Sequence, residues 1–138
     1  MHTDAFTSYK QLLKRYIDET RSKGGIPVVC SSIVRRHFAA DENLLNTHGD
    51  YIQASREAAA ENKAYFVDME AKSRQLVVAL GREKSKLLFV YCKPGECPQR
   101  VKGVQDSTHL NHEGARQIAG LFAADVKRQK LPLAKVLK

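Results

Sequence analysis

The stretch Tyr9-Lys10-Gln11-Leu12-Leu13-Lys14-Arg15-Tyr16-Ile17-Asp18-Glu19-Thr20-Arg21-Ser22-Lys23-Gly24-Gly25-Ile26-Pro27-Val28-Val29-Cys30 decides how this chain is read. Tyr9, Leu12, Leu13, Tyr16 and Ile17 recur at the three-and-four spacing that gathers side chains on one helix face, while Lys10, Lys14, Asp18 and Glu19 fall on the other. The spacing predicts a helix from about Phe6 to Lys23. Gly24-Gly25 then offers a left-handed stop at low steric cost. A β-branched run follows at once, Ile26 to Cys30. Helix, glycine stop and short buried strand make the repeating half-unit of a parallel α/β sheet.

The same alternation continues outward. Ser31 to Gly49 is polar and irregular and follows the carboxyl end of the first strand, where open α/β sheets place ligand-facing loops. Asp50 reads as a helix cap with Gln53 as its capping-box partner, ahead of a helix from Tyr51 to Lys63. Ala64-Tyr65-Phe66-Val67-Asp68 is a second strand. A helix with Met69, Leu76, Val77 and Leu80 inward is expected to end at Gly81. Glu83 to Tyr91 fits either a short helix or a strand and is read as helix; Cys92 to Thr108 is expected to be loop. Asn111 caps a last helix to about Lys130, buried along Ile118, Leu121, Phe122 and Val126. Residues 1–130 are thus one domain and 131–138, with Pro132, a tail without regular structure.

This inventory has more helix faces than sheet to cover them, since parallel sheets are normally buried on both sides. Two explanations stand: a partner chain supplies strands, or these 138 residues are the carboxyl portion of a larger fold. The length suits a single domain. No apolar run approaches the roughly 18 residues of a membrane span, and the opening Met1-His2-Thr3-Asp4 starts no signal-peptide pattern, which leaves the compartment of the intact protein open. The net charge of +8 is spread along the chain, with no zinc finger, RNA-binding aromatic signature or dense basic arm. It reads first as solvated helix faces with a basic bias, second as a mild preference for acidic polysaccharide, and last as a nucleic-acid surface. Of the three cysteines, Cys30 ends an apolar run and is expected to be a buried small hydrophobe. Cys92 and Cys97 flank a turn and could bridge, which spacing alone does not establish.

The chemistry lies in Val104-Gln105-Asp106-Ser107-Thr108-His109-Leu110-Asn111-His112-Glu113-Gly114-Ala115. A carboxylate three residues ahead of a histidine, just before a capped helix, can accept from one imidazole nitrogen and leave the other to deprotonate a hydroxyl. On spacing alone, such a pair could equally be an exposed loop contact or a helix-start hydrogen bond.

The run Asp106-x-x-His109-Leu110-Asn111-x-x-Gly114-Ala115 resembles the last sequence block of the SGNH (GDSL-like) hydrolases. Thr47-His48-Gly49-Asp50-Tyr51, Tyr65-Phe66-Val67-Asp68-Met69, Lys93-Pro94-Gly95-Glu96-Cys97-Pro98 and the opening helix with its strand resemble the rhamnogalacturonan acetylesterase branch of that superfamily. The resemblance implies a three-layer α/β/α, flavodoxin-like fold with parallel strands, here partial, its amino-terminal strands lying outside the chain. It implies ester hydrolysis on acetylated plant cell-wall polysaccharide, with His109 as general base, Asp106 as its orienting acid, and no metal or organic cofactor.

The departures are large. The family's Gly-Asp-Ser nucleophile segment and the glycine and asparagine of its oxyanion hole have no match here. Ser31 and Ser32 follow a strand but lack a glycine-flanked elbow. One oxyanion donor alone is typically worth about 100- to 1000-fold in rate, so the chain by itself is expected to be inactive. Arg35 and Arg36, with His37 beside them, are candidate contacts to a uronic acid. His112 lacks a further ligand at metal-binding spacing. The competing expectation is a non-catalytic binding or assembly module that reuses the fold and is completed by a partner chain such as a second copy, whereas an esterase fragment would be completed by the missing amino-terminal segment.

Overall fold

The computed structural model describes residues 3–137. Met1 and His2, part of the opening read for a signal pattern, and Lys138 of the tail lie outside the described residues. Asp4 starts the first ordered turn, its carboxylate accepting the backbone N–H of Phe6 and Thr7. A π-helical turn, Ala5–Tyr9, leads into helix α1, Lys10–Ser22. Gly24, at φ +74°, ends α1 as expected: Gly25 N donates to Thr20 O and Gly24 N to Arg21 O, each at 2.9 Å, the paired closure of a Schellman stop.

Strand β1 (Val28–Cys30) pairs in parallel with β2 (Tyr65–Val67), in register Val28 with Tyr65 and Cys30 with Val67. Helix α2 (Tyr51–Glu61) lies between them in sequence, and α3 (Met69–Lys84) and α4 (His112–Arg128) follow. Ile17, Val29 and Ala59 form a core on one face of the strands with Leu13 and Phe66. Val67, Met69 and Val126 form another with Val28, Ile118, Leu121 and Phe122. Helices α1 and α2 therefore cover one side and α4 the other. The architecture is the α/β/α sandwich anticipated, in partial form. No helix among the described residues is long and apolar enough to cross a membrane.

Several expectations need correction. Ser85–Leu88 is a 3-10 turn, and Phe89–Cys92 is strand β3, not helix. It pairs antiparallel with β4, Val104–Leu110, which was expected to be loop as far as Thr108. The reason is burial: Ser85, Leu88 and Phe89 are all buried, and the apolar run Leu87 to Val90 carries no helical period to follow. Asp50 makes no side-chain cap. Asn46 Oδ1 accepts the N–H of His48 and Gly49 instead, and Gln53 turns to Glu57. Cys30 is exposed rather than buried. It shares a face with Val28 and Val67, but α4 packs against β2 and leaves the end of β1 uncovered.

The tail is ordered too: Leu131 is buried beside Val126, and Pro132–Val136 forms a 3-10 segment with Ala134 and Leu137 against the same core. Gly81, at φ +70° and ψ 176°, breaks α3 where a stop was expected, and one further turn reaches Lys84. The free edge of β1 carries an apolar strip. Tyr16 is 61% exposed and Ile26 57%, although Tyr16 lies on the helix face read as buried.

Candidate active site

The ladder between β3 and β4 is interrupted where the chemistry is. Phe89 pairs with Leu110, but the next residue, Val90, pairs with Asp106. Ser107, Thr108 and His109 are left without partners across the strand and bulge outward, the usual way in which a sheet re-aims a side chain. The bulge is closed by its own carboxylate. Asp106 Oδ1 accepts the backbone N–H of Thr108 at 2.8 Å and of His109 at 2.9 Å. Asp106 Oδ2 lies 2.7 Å from His109 Nδ1.

Donation from the His109 and Thr108 backbone, then from the imidazole, holds the Asp106 carboxyl well below its usual 3.8, at about 2. It is therefore an anion at any neutral pH, fit to accept Nδ1–H and to stabilise an imidazolium. The His109 side chain is 78% exposed and that of Asp106 28%. Among the described residues no hydrogen bond is made to His109 Nε2, and the ring is largely exposed.

Directly after the bulge, Asn111 anchors α4. Its Oδ1 accepts Gly114 N at 2.9 Å, as the sequence predicts, and its Nδ2 donates to Leu87 O and Phe89 O. Gly114 is needed for closeness: a Cβ there would stand 1.9 Å from Leu88 O. The helix start thus presses against the turn before β3 and fixes where the bulge begins and ends.

The other candidates are placed as follows. Ser31 is buried, donating to Asp68 Oδ1 at 3.0 Å and accepting Glu70 N at 2.9 Å, so its hydroxyl is spent in the fold. Ser32 is exposed. His48 Nε2 bonds Ile33 O at 2.9 Å within its loop. His112 is exposed at the start of α4, and no group of three or more metal-ligating side chains occurs among the described residues. Arg35 is exposed and can face a ligand. Arg36 cannot, and this corrects the expectation for it: the residue is 8% exposed and its guanidinium points inward. A cavity of about 610 Å3 at the mouth of the β3–β4 hairpin is bordered by Lys86, Lys93 and Lys102, with Glu96 as the acid among them. These lysines are well separated in the sequence, and the hairpin brings them together.

A carboxylate-held imidazole on a bulge before the final helix of a partial α/β/α sandwich is the arrangement that the resemblance to SGNH (GDSL-like) hydrolases implies. Comparison with known proteins refines this. The chain is related over nearly its whole length to rhamnogalacturonan acetylesterases. It is 35% identical over 131 residues to rhamnogalacturonan acetylesterase RhgT of Bacillus subtilis (strain 168), covering 95% of this chain and 56% of that protein. It is 34% identical over 134 residues to the probable rhamnogalacturonan acetylesterase YesY of the same organism, covering 96% and 56%. The chain therefore spans just over half the length of these curated relatives. The crystal structure of the protein YxiM from Bacillus subtilis matches in fold, with a TM-score of 0.71 at 21% identity, over 90% of this chain and 32% of that one. No family model matches the chain.

Proposed function

We propose that this chain supplies the acid–base half of a carbohydrate esterase that removes acetyl groups from rhamnogalacturonan-type polysaccharide, the serine nucleophile and oxyanion donors coming from polypeptide outside these 138 residues. The observation that carries the reading is the Asp106–His109 pair, with one imidazole nitrogen bound at 2.7 Å and the other free. In the reaction, His109 Nε2 takes the serine proton as the serine oxygen bonds to the acetyl carbon. It returns that proton to the sugar oxygen as the ester C–O bond breaks. A water then repeats the exchange and frees acetate. Asp106 stays ionised throughout and holds the imidazole in the Nδ1–H form.

The test is complementation. The chain alone should hydrolyse an aryl acetate at background rate. Combined with the nucleophile-bearing segment of an acetylesterase relative, it should turn over and release acetate from acetylated rhamnogalacturonan. His109→Ala must abolish that activity; full turnover by the mutant would refute the assignment.

A second reading, an assembly module completed by another chain, is favoured by the open edge of β1 with Tyr16 and Ile26 exposed beside it. Light scattering separates the two. A stable dimer with no restored activity on complementation supports the module; a monomer that gains activity supports the esterase.

A further inference from the structure

Arg36 is buried without a carboxylate. Its Nε donates to Ser85 Oγ at 3.1 Å, Nη1 to Tyr91 OH at 2.8 Å and Ser107 Oγ at 3.4 Å, and Nη2 to Arg82 O at 2.6 Å. Its carbon centre lies 5.1 Å from the Tyr91 ring centre and 5.8 Å from that of Phe38. Every one of these partners is neutral. The nearby charges do not relieve it: Arg82 shares the Phe38 ring, and Glu83, which feels both arginines, is exposed and bonded to Lys86. A buried cation held only by neutral acceptors costs stability that an apolar side chain of similar volume would not. Its position suggests what it does instead.

The clue is Ser107, the first residue of the bulge. Arg36 N donates to Ser107 O at 2.8 Å, occupying a main-chain carbonyl that the broken ladder leaves free. Tyr91 OH lies 2.6 Å from Ser107 Oγ and receives Nη1 of Arg36, so the same arginine holds the Ser107 side chain both directly and through Tyr91. One residue of the loop after β1 therefore grips the bulge by backbone and by side chain, immediately beside Asp106.

We propose that Arg36 is a positioning residue for the Asp106–His109 pair: by clamping Ser107 it holds the bulge in the one conformation that aims two backbone N–H groups and the imidazole at Asp106. The proposal rests on the reading of that pair as the acid–base half of the site. The planar guanidinium is suited to the role because its fork reaches Ser85, Tyr91 and Ser107 at once. A lysine keeps the charge but cannot span three hydroxyls.

The experiment is a carbon NMR titration of the Asp106 carboxyl in the full chain, with urea denaturation of each variant alongside. In the unaltered protein Asp106 titrates at about 2, so at pH 3 only about a tenth is protonated. Arg36→Lys, which preserves charge, and Tyr91→Phe, a mild change that removes only the bridging hydroxyl, should both move the midpoint up toward 3.8, the usual value. At full release, nearly nine-tenths, or about 0.86, would be protonated at pH 3. Ser107→Ala should behave likewise, and Ser107→Thr, which keeps a hydroxyl, should restore the low midpoint. If both Arg36→Lys and Tyr91→Phe leave the midpoint at about 2 while stability falls, Arg36 serves the fold alone and the proposal is overturned. If the unaltered protein itself titrates near 3.8, the Asp106–His109 reading fails instead, and that result is distinct from the first.

Discussion

Gly114→Ala tests whether the start of α4 is set by contact, as the geometry implies. An added Cβ would meet Leu88 O at 1.9 Å and Leu88 C at 2.8 Å. A carbon–oxygen contact needs about 3.3 Å, so backbone must move by roughly 1.4 Å. The obstructing oxygen also accepts Asn111 N at 3.1 Å. Retreat of α4 therefore strains that bond, the two from Asn111 Nδ2 to Leu87 and Phe89, and the cap to Gly114 N. Overpacking costs about 1–3 kcal/mol and losing an N-cap about 1 kcal/mol, while alanine's helix preference returns less than about 1 kcal/mol. A net loss of about 2 kcal/mol is expected, a sizeable share of the ~5–15 kcal/mol that stabilises a domain. Urea denaturation followed by circular dichroism reads it as a lower midpoint at unchanged slope. Because the same bonds suffer, adding Asn111→Ala to Gly114→Ala should cost much less than it does alone. A variant within 0.5 kcal/mol of the parent, or full additivity, would refute the reasoning.

Further outcomes follow from the same structure. Asp125 is buried against Lys72 at 2.8 Å and Arg128 at 2.7 Å. Burial alone would raise its carboxyl, but donation from Lys72, Gln129 and Arg128 outweighs this and brings it to about 2. Asp125→Asn should destabilise by about 2–3 kcal/mol, below the full cost of a broken buried pair because Arg128 reaches solvent; an unchanged urea midpoint would contradict this. Asp106, Asp125 and Glu113 all titrate at about 2, below their usual 3.8, 3.8 and 4.5. Depressed carboxyls contribute stability that is complete above the unfolded values and is lost as pH falls through the folded ones. The urea midpoint should therefore hold steady above pH ~5 and fall between ~4.5 and ~2; a flat profile across that window would count against it. Lys93→Gln with Lys102→Gln should weaken polygalacturonate binding several-fold at low salt and little at high salt, as read by affinity electrophoresis. Equal binding at low salt would remove the hairpin cavity from the substrate path.

The sequence was legible where one period ran long enough to dominate. Tyr9 to Ile17 and the Gly24 stop were readable because apolar spacing and a left-handed glycine point to the same structure. Asn111 was readable as a cap because Gly114 follows at the right distance. The hairpin was not, since β4 reads Val104-Gln105-Asp106-Ser107-Thr108-His109-Leu110 and a bulge destroys the two-residue alternation that announces a strand. Arg36 was misplaced because a loop arginine is ordinarily solvated. A signal was present nonetheless: Val34, Arg36 and Phe38 alternate inward, with Val34 and Arg36 buried and Arg35 and His37 exposed. Cys30 shows the opposite limit. An apolar run predicts burial only if something lies over it, and that depends on neighbouring polypeptide, not on the run itself.

The central claim, that Asp106 holds His109 as an Nδ1–H imidazole with Nε2 free to take a proton, is tested most directly by the nitrogen NMR spectrum of the His109 ring above its titration range. The account predicts a proton on Nδ1 and a bare Nε2 in the parent protein, and reversal of the two in Asp106→Asn, whose amide must donate where the carboxylate accepted. A parent spectrum dominated by the Nε2–H form, unchanged by that substitution, would contradict it.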